Sequence, residues 1–120
     1  TKAMLAGRLV TIHGDGRQSR DFVYVADVAA ANVAASQYGS GIYNVGTGMP
    51  TDIVTIGREL ARIIGYTQEI SHGPAKPGEV RHTYLDSQKA RRELGWEATV
   101  GLAEGLRQTV ESFRSSSSGA

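Results

Sequence analysis

Three cations stand where no helix would hold them: Arg20 just ahead of the run "DFVYV", Lys76 between two prolines, and Arg81 after "PGEV". Side chains of this kind, converging from loops, suit a phosphate or diphosphate through charge-assisted hydrogen bonds. An arginine so placed loses hydration unless a partner compensates. That partner is either a ligand's phosphate or a carboxylate of the chain, with Asp21 and Asp27 the nearest candidates for Arg20.

Other chemistries find less support. The chain has no cysteine, which removes thiol nucleophiles and thiolate metal sites. His13, His72 and His82 lie far apart and lack the i, i+4 spacing of a helical zinc motif, so no metal site is expected. There is no Gly-x-Ser-x-Gly. Tyr84 and Lys89 are five residues apart, not the four that would place a tyrosine and a lysine on one helix face. The turn "GTGMPT" (Gly46 to Thr51) follows a strand pattern and precedes a helix pattern, the context of a phosphate-binding turn, but Thr51 replaces the third glycine and Pro50 intrudes. It reads as an ordinary βα turn, and "GDGRQS", joining two strands, as a weaker anion site still.

The frame around these residues is ordinary. The 120 residues suggest one domain, with 40% hydrophobic and 21% charged residues and a formal net charge of +1. That balance gives no reason to expect nucleic acid or an anionic membrane as partner, so an anion site must be local. No apolar run approaches the roughly 20 residues of a bilayer span, no signal-peptide pattern opens the chain, and a cytoplasmic location is expected.

"TKAMLAGR" reads as a last helical turn closing at Gly7, "LVTIH" as a short strand and "DFVYV" as a second. Asp27 is expected to cap a helix to about Gln37, whose alanines allow close packing. "GIYNV" reads as a buried strand; Thr51 or Asp52 caps a helix with the apolar stripe Ile53, Ile56, Leu60, Ile63 and Ile64, stopped by Gly65. "QEISHGPAKPGEVRHTYLD" holds a short strand, a broken loop and a second extended piece. Asp86 or Ser87 opens a short basic helix ending at Gly95-Trp96, and Leu102, Leu106, Val110 and Phe113 mark a final helix. Residues 115–120, "SSSSGA", read as a disordered tail. The strand–helix alternation argues for the α/β class.

"GDGRQSRDFVYVADVAAA", "IYNVGTG", "KPGEVRHTYLDSQKARRELGW" and "GLAEGLRQTVESF" occur in the order found in the NAD-dependent epimerase/dehydratase family. These are extended short-chain dehydrogenases of Rossmann type acting on nucleotide sugars, typified by UDP-glucose 4-epimerase. From about Met4 to Phe113 the sequence resembles the C-terminal, substrate-binding part of such an enzyme. The resemblance implies that the NAD loop and the catalytic Tyr-x-x-x-Lys pair belong to an N-terminal domain outside residues 1–114. It implies no catalytic residue and no cofactor in this chain, with NAD used by the intact enzyme in epimerisation or dehydration. It also implies that Arg20 reaches the diphosphate of a nucleotide sugar, with Lys76 and Glu79 standing where relatives commonly carry a second arginine and a ribose-binding aspartate. Lysine keeps the charge but loses the bidentate fork, a loss Arg81 compensates. Asn44 is a further substrate contact by position, and Asp86 and Trp96 look like cap and core. A free-standing nucleotide-binding or protein-interaction module is the alternative. In the family "GIYNV" lies within a larger parallel sheet. An unpaired edge there, beside the stripe of the Thr51–Ile64 helix, implies a homodimer, simple or domain-swapped.

Overall fold

The computed structural model describes residues 1–118. Its elements run α1 (Lys2–Leu5), β1 (Thr11–His13), β2 (Ser19–Asp21), α2 (Val25–Tyr38), β3 (Pro50–Asp52), α3 (Ile53–Ile64), β4 (Ser71–Gly73), α4 (Gln88–Leu94) and α5 (Leu102–Ser118). They gather into two compact units, each assembled from separated stretches of sequence.

The first unit takes residues 1–18, 52–81 and 103 onward. β1 and β4 pair in parallel, Ile12 opposite His72, with α3 between them in sequence as a parallel connection requires. α3 forms where its residue types predict. Asp52 is the N-cap, its Oδ1 accepting from the Thr55 amide at 2.7 Å, and Gly65 ends the helix with φ 80°, a conformation costly for any residue with a Cβ. The stripe along α3 is covered: Leu60 packs with Met4 and Val110, and Ile56, Ile63, Ile64, Val10, Ile70 and Leu106 close around them. Val110 of α5 is wholly buried.

The second unit takes Ser19–Thr51 and His82–Leu102. β2 pairs with β3 in a two-stranded sheet. α2 lies against α4 through Ala31 and Ala90, small enough to let the helices approach closely, with Trp96 completing the cluster. Val23, Tyr43, Val45 and Leu94 pack around it.

Four expectations are corrected. The strand at "DFVYV" stops at Asp21 and a helix begins at Val25, so packing overrides the β propensity of these residues. Asp27 lies within the first turn of α2 rather than at its cap, which is Tyr24. Residues 41–45 form no strand. The alternation survives there, with Tyr43 and Val45 inward and Ile42 and Asn44 exposed, but side chains replace a ladder: Lys89 Nζ donates to the Ile42 carbonyl at 2.9 Å, and the Tyr43 hydroxyl accepts from the Ser40 amide. Residues 41–45 therefore present no strand edge, and the α3 stripe is packed within its own unit. Finally, α5 runs through residues 115–118, where Ser116 and Ser117 hydroxyls donate back to the carbonyls of Ser112 and Phe113. The rest of the expected tail, Gly119 and Ala120, lies outside the described residues.

Candidate functional site

β2 carries Arg20 between two anchored neighbours. Ser19 is buried and its Oγ meets His82 Nδ1 at 2.8 Å, while its carbonyl accepts the Thr83 amide at 3.1 Å and Arg20 Nη1 at 2.7 Å. Asp21 gathers a separate set of donors. Its Oδ1 accepts from the Thr47 amide (2.9 Å) and hydroxyl (2.5 Å), and its Oδ2 from the amides of Gly48 (2.9 Å) and Leu85 (3.2 Å). Burial raises the cost of ionising this carboxyl, but the Thr47, Gly48 and Leu85 hydrogen bonds outweigh it and hold the group below the usual carboxylate range. A Cβ on Gly46 would stand 2.6 Å from Asp21 Oδ2, so the glycine is needed for close approach.

The same bonds decide what "GTGMPT" can do. The amides of Thr47 and Gly48 are spent on Asp21, that of Gly46 on Ser87 Oγ, and that of Met49 on Thr47 Oγ1. A dinucleotide pyrophosphate needs such amides turned outward. The turn leads into β3 rather than a helix, and the N-terminus of α3 beyond it is closed by the Asp52 carboxylate. It does not fit NAD. Among the described residues no cluster of histidines and carboxylates could hold a metal ion.

The loop after β4 holds the other cations in the first unit. Lys76 and Glu79 are exposed, on a turn in which the Lys76 carbonyl accepts the Glu79 amide at 3.4 Å and Gly78 has φ 77°. Arg81 has found a carboxylate: Nη1 donates to Asp15 Oδ1 at 3.0 Å and Nη2 to Oδ2 at 2.8 Å. The Arg81 hydrogen bond, helped by the Arg17 amide, holds the Asp15 carboxyl down at about 2. Both side chains remain about half exposed, so the pair is a weak, exchangeable one.

Lys76, Glu79 and Arg81 therefore share one loop of the first unit, whereas Arg20 and Asn44 belong to the second, Asn44 exposed on the irregular 41–45 segment. A cleft of about 800 Å³ also lies in the second unit, walled by Phe22, Met49, Tyr84, Trp96 and Val100. Sequence reasoning missed what anchors these segments: Asp15, Asp21, Thr47, His82 and Ser87. The signal for Asp21 was a carboxylate set against a run of β-formers, a position that demands several donors. Asp27 is the parallel case, accepting from the Thr99 hydroxyl and amide and the Val100 amide, while its carbonyl takes Trp96 Nε1 at 2.8 Å.

Residues 1–109 match the family model described as GDP-mannose 4,6 dehydratase. A UDP-glucose 4-epimerase of Mycolicibacterium smegmatis is 41% identical over 119 residues, covering 98% of this chain and 38% of that protein. The crystal structure of UDP-glucose 4-epimerase of Thermotoga maritima with UDP-glucose is similar with a TM-score of 0.93 and 44% identity, over 96% of this chain and 38% of that one. That of Thermus thermophilus UDP-glucose 4-epimerase with NAD has a TM-score of 0.86 and 37% identity, over 92% and 37%. The chain thus spans well under half the length of the proteins it matches. No helix among the described residues is long and apolar enough to cross a membrane. Matching motifs, fold and family model agree: the chain belongs to the NAD-dependent epimerase/dehydratase family.

Proposed function

We propose that this chain is the substrate-side, C-terminal portion of a nucleotide-sugar epimerase or dehydratase and binds the diphosphate of a UDP-type sugar. The observation that carries the reading is the likeness, over 96% of the chain at 44% identity, to an epimerase crystallised with UDP-glucose. Taken from their motifs, Arg20, Lys76 and Arg81 contact the diphosphate, Glu79 the ribose, and Asn44 is a further contact. In the whole enzyme the reaction is NAD-dependent epimerisation or dehydration through a keto-sugar, in keeping with a relative crystallised with NAD. The chain's own part is binding and orientation, not hydride or proton transfer. Lys89, the lysine nearest a tyrosine in sequence, supports this: its ammonium lies 4.6 Å over the Tyr43 ring and donates to the Ile42 carbonyl, a structural post.

Calorimetric titration of the chain with UDP-glucose and UDP tests the proposal. Binding is expected, weakened in Arg20→Ala by about 1.5–3 kcal/mol, the worth of a hydrogen bond to a charged group. Unchanged affinity in that variant would make Arg20 a structural residue, and no binding by the unaltered chain overturns the reading.

A further inference from the structure

We propose that Asp15 occupies the phosphate-binding face of Arg81 in the free chain, so that a diphosphate ligand binds there by exchange and Asp15 sets its affinity. The inference rests on the diphosphate reading above and adds a residue that acts against the ligand rather than for it.

The geometry is that of a built-in competitor. Arg81 turns both terminal nitrogens toward the two oxygens of Asp15, at 3.0 and 2.8 Å, the same fork that would engage two phosphoryl oxygens. The carboxylate is not a mobile acceptor that happens to lie near. Asp15 Oδ1 accepts the Arg17 amide at 2.9 Å, which fixes its orientation. The loop that carries it is pinned on both sides: the Gly14 amide donates to the Gly73 carbonyl at 2.8 Å, the Gly14 carbonyl meets His72 Nδ1 at 2.8 Å, and the Gly16 carbonyl accepts the Val54 amide at 3.0 Å. Gly16 is buried with φ 75°, and a Cβ there would run into the Val54 side chain, so the loop has one shape open to it.

Two features make the contact exchangeable. Asp15 and Arg81 are each about half exposed, so water solvates the carboxylate once it is displaced. The incoming diphosphate carries more charge and more acceptor oxygens than one carboxylate, so it outcompetes Asp15 where an uncharged nucleoside cannot. The consequence is selectivity by charge: the site opens to a phosphorylated ligand and stays closed to a neutral one.

Asp15→Asn tests this with little risk to the fold, because the asparagine oxygen still accepts the Arg17 amide and the residue is exposed; circular dichroism confirms folding. Calorimetry with UDP is expected to show binding tightened about two- to fivefold, the scale of an exposed ion pair, with uridine unaffected. In an Arg81→Ala background the gain disappears. Unchanged or weaker UDP binding in Asp15→Asn, alongside the loss in Arg20→Ala, overturns the exchange and leaves the diphosphate reading standing. An equal gain without Arg81 also overturns it, since Asp15 would then act as a plain negative charge. Failure of both the unaltered chain and Asp15→Asn to bind UDP at millimolar concentration removes both readings together.

Discussion

In the first unit Leu60 and Val110 bury branched side chains among Met4, Ile56, Ile63 and Leu106. In the second the buried apolar cluster is Ala31, Ala90 and Trp96, and around it two carboxylates collect backbone amides: Asp21 from the 47–48 turn and Leu85, Asp27 from Thr99 and Val100. One unit is held by removing apolar area from water, the other in good part by ionised acceptors that tie loops to helices. Apolar burial is nearly independent of pH and indifferent to fine geometry, whereas a carboxylate clamp is directional and titratable. The contrast suits their contents, because irregular segments such as 46–49 and 85–87 bury too little side chain to hold themselves.

The largest effect that would sharpen this comparison is expected from Leu60→Ala. It deletes methyl groups from the better packed core and should cost about 3 kcal/mol, measured by urea unfolding followed through α3 amide resonances. A loss below about 1 kcal/mol would mean that the apolar contacts there are loose. Asp27→Asn comes next. It puts an amide where two amides and a hydroxyl donate, and should cost about 2 kcal/mol, read by fluorescence of Trp96, the sole tryptophan, whose Nε1 donates to the Asp27 carbonyl.

Acid separates the two kinds of interaction further. For Asp27, as for Asp21, burial disfavours the charge, but the hydrogen bonds from Val100 and Thr99 prevail and the carboxyl lies below its ordinary value of 3.8. A depressed value gives stability that is fully present above the ordinary carboxylate range and is lost as pH falls through the folded value. The Trp96 signal should therefore report destabilisation below about pH 4, and Asp27→Asn should blunt that acid response. An acid response unchanged in Asp27→Asn would break the assignment of the clamp. The smallest effect is expected from Arg107→Ala on α5, where Arg107 bridges Glu104 at 2.6 Å and Glu111 at 2.8 Å but all three are about half exposed. The melting temperature should shift by no more than about 2 °C, because exposed pairs contribute little.

Much of the skeleton can be read from residue types alone. Asp52, the stripe from Ile56 to Ile64 and Gly65 mark the start, face and stop of α3, because cap, periodicity and left-handed glycine are local signals. The alanines of α2 and the spacing of Leu106 and Val110 likewise foretell which faces pack. Of the candidate site, Arg20, Lys76 and Arg81 stand out as cations in unhelical places, and the motif order places the chain in its family.

The misreadings share one cause. Val23 and Tyr43 have strand-forming side chains, but whether residues 22–25 or 41–45 join a ladder depends on a distant partner, and here Trp96 and Lys89 take them instead. Arg81 and Asp15 lie 66 residues apart, and Asp27 and Val100 lie 73 apart. Residue types determined the elements and the chemistry available, since propensity, capping and charge act over a few neighbours. Only the tertiary structure decided which carboxylate each cation and each loop amide would meet, because the folded chain brings together groups that no local rule can pair.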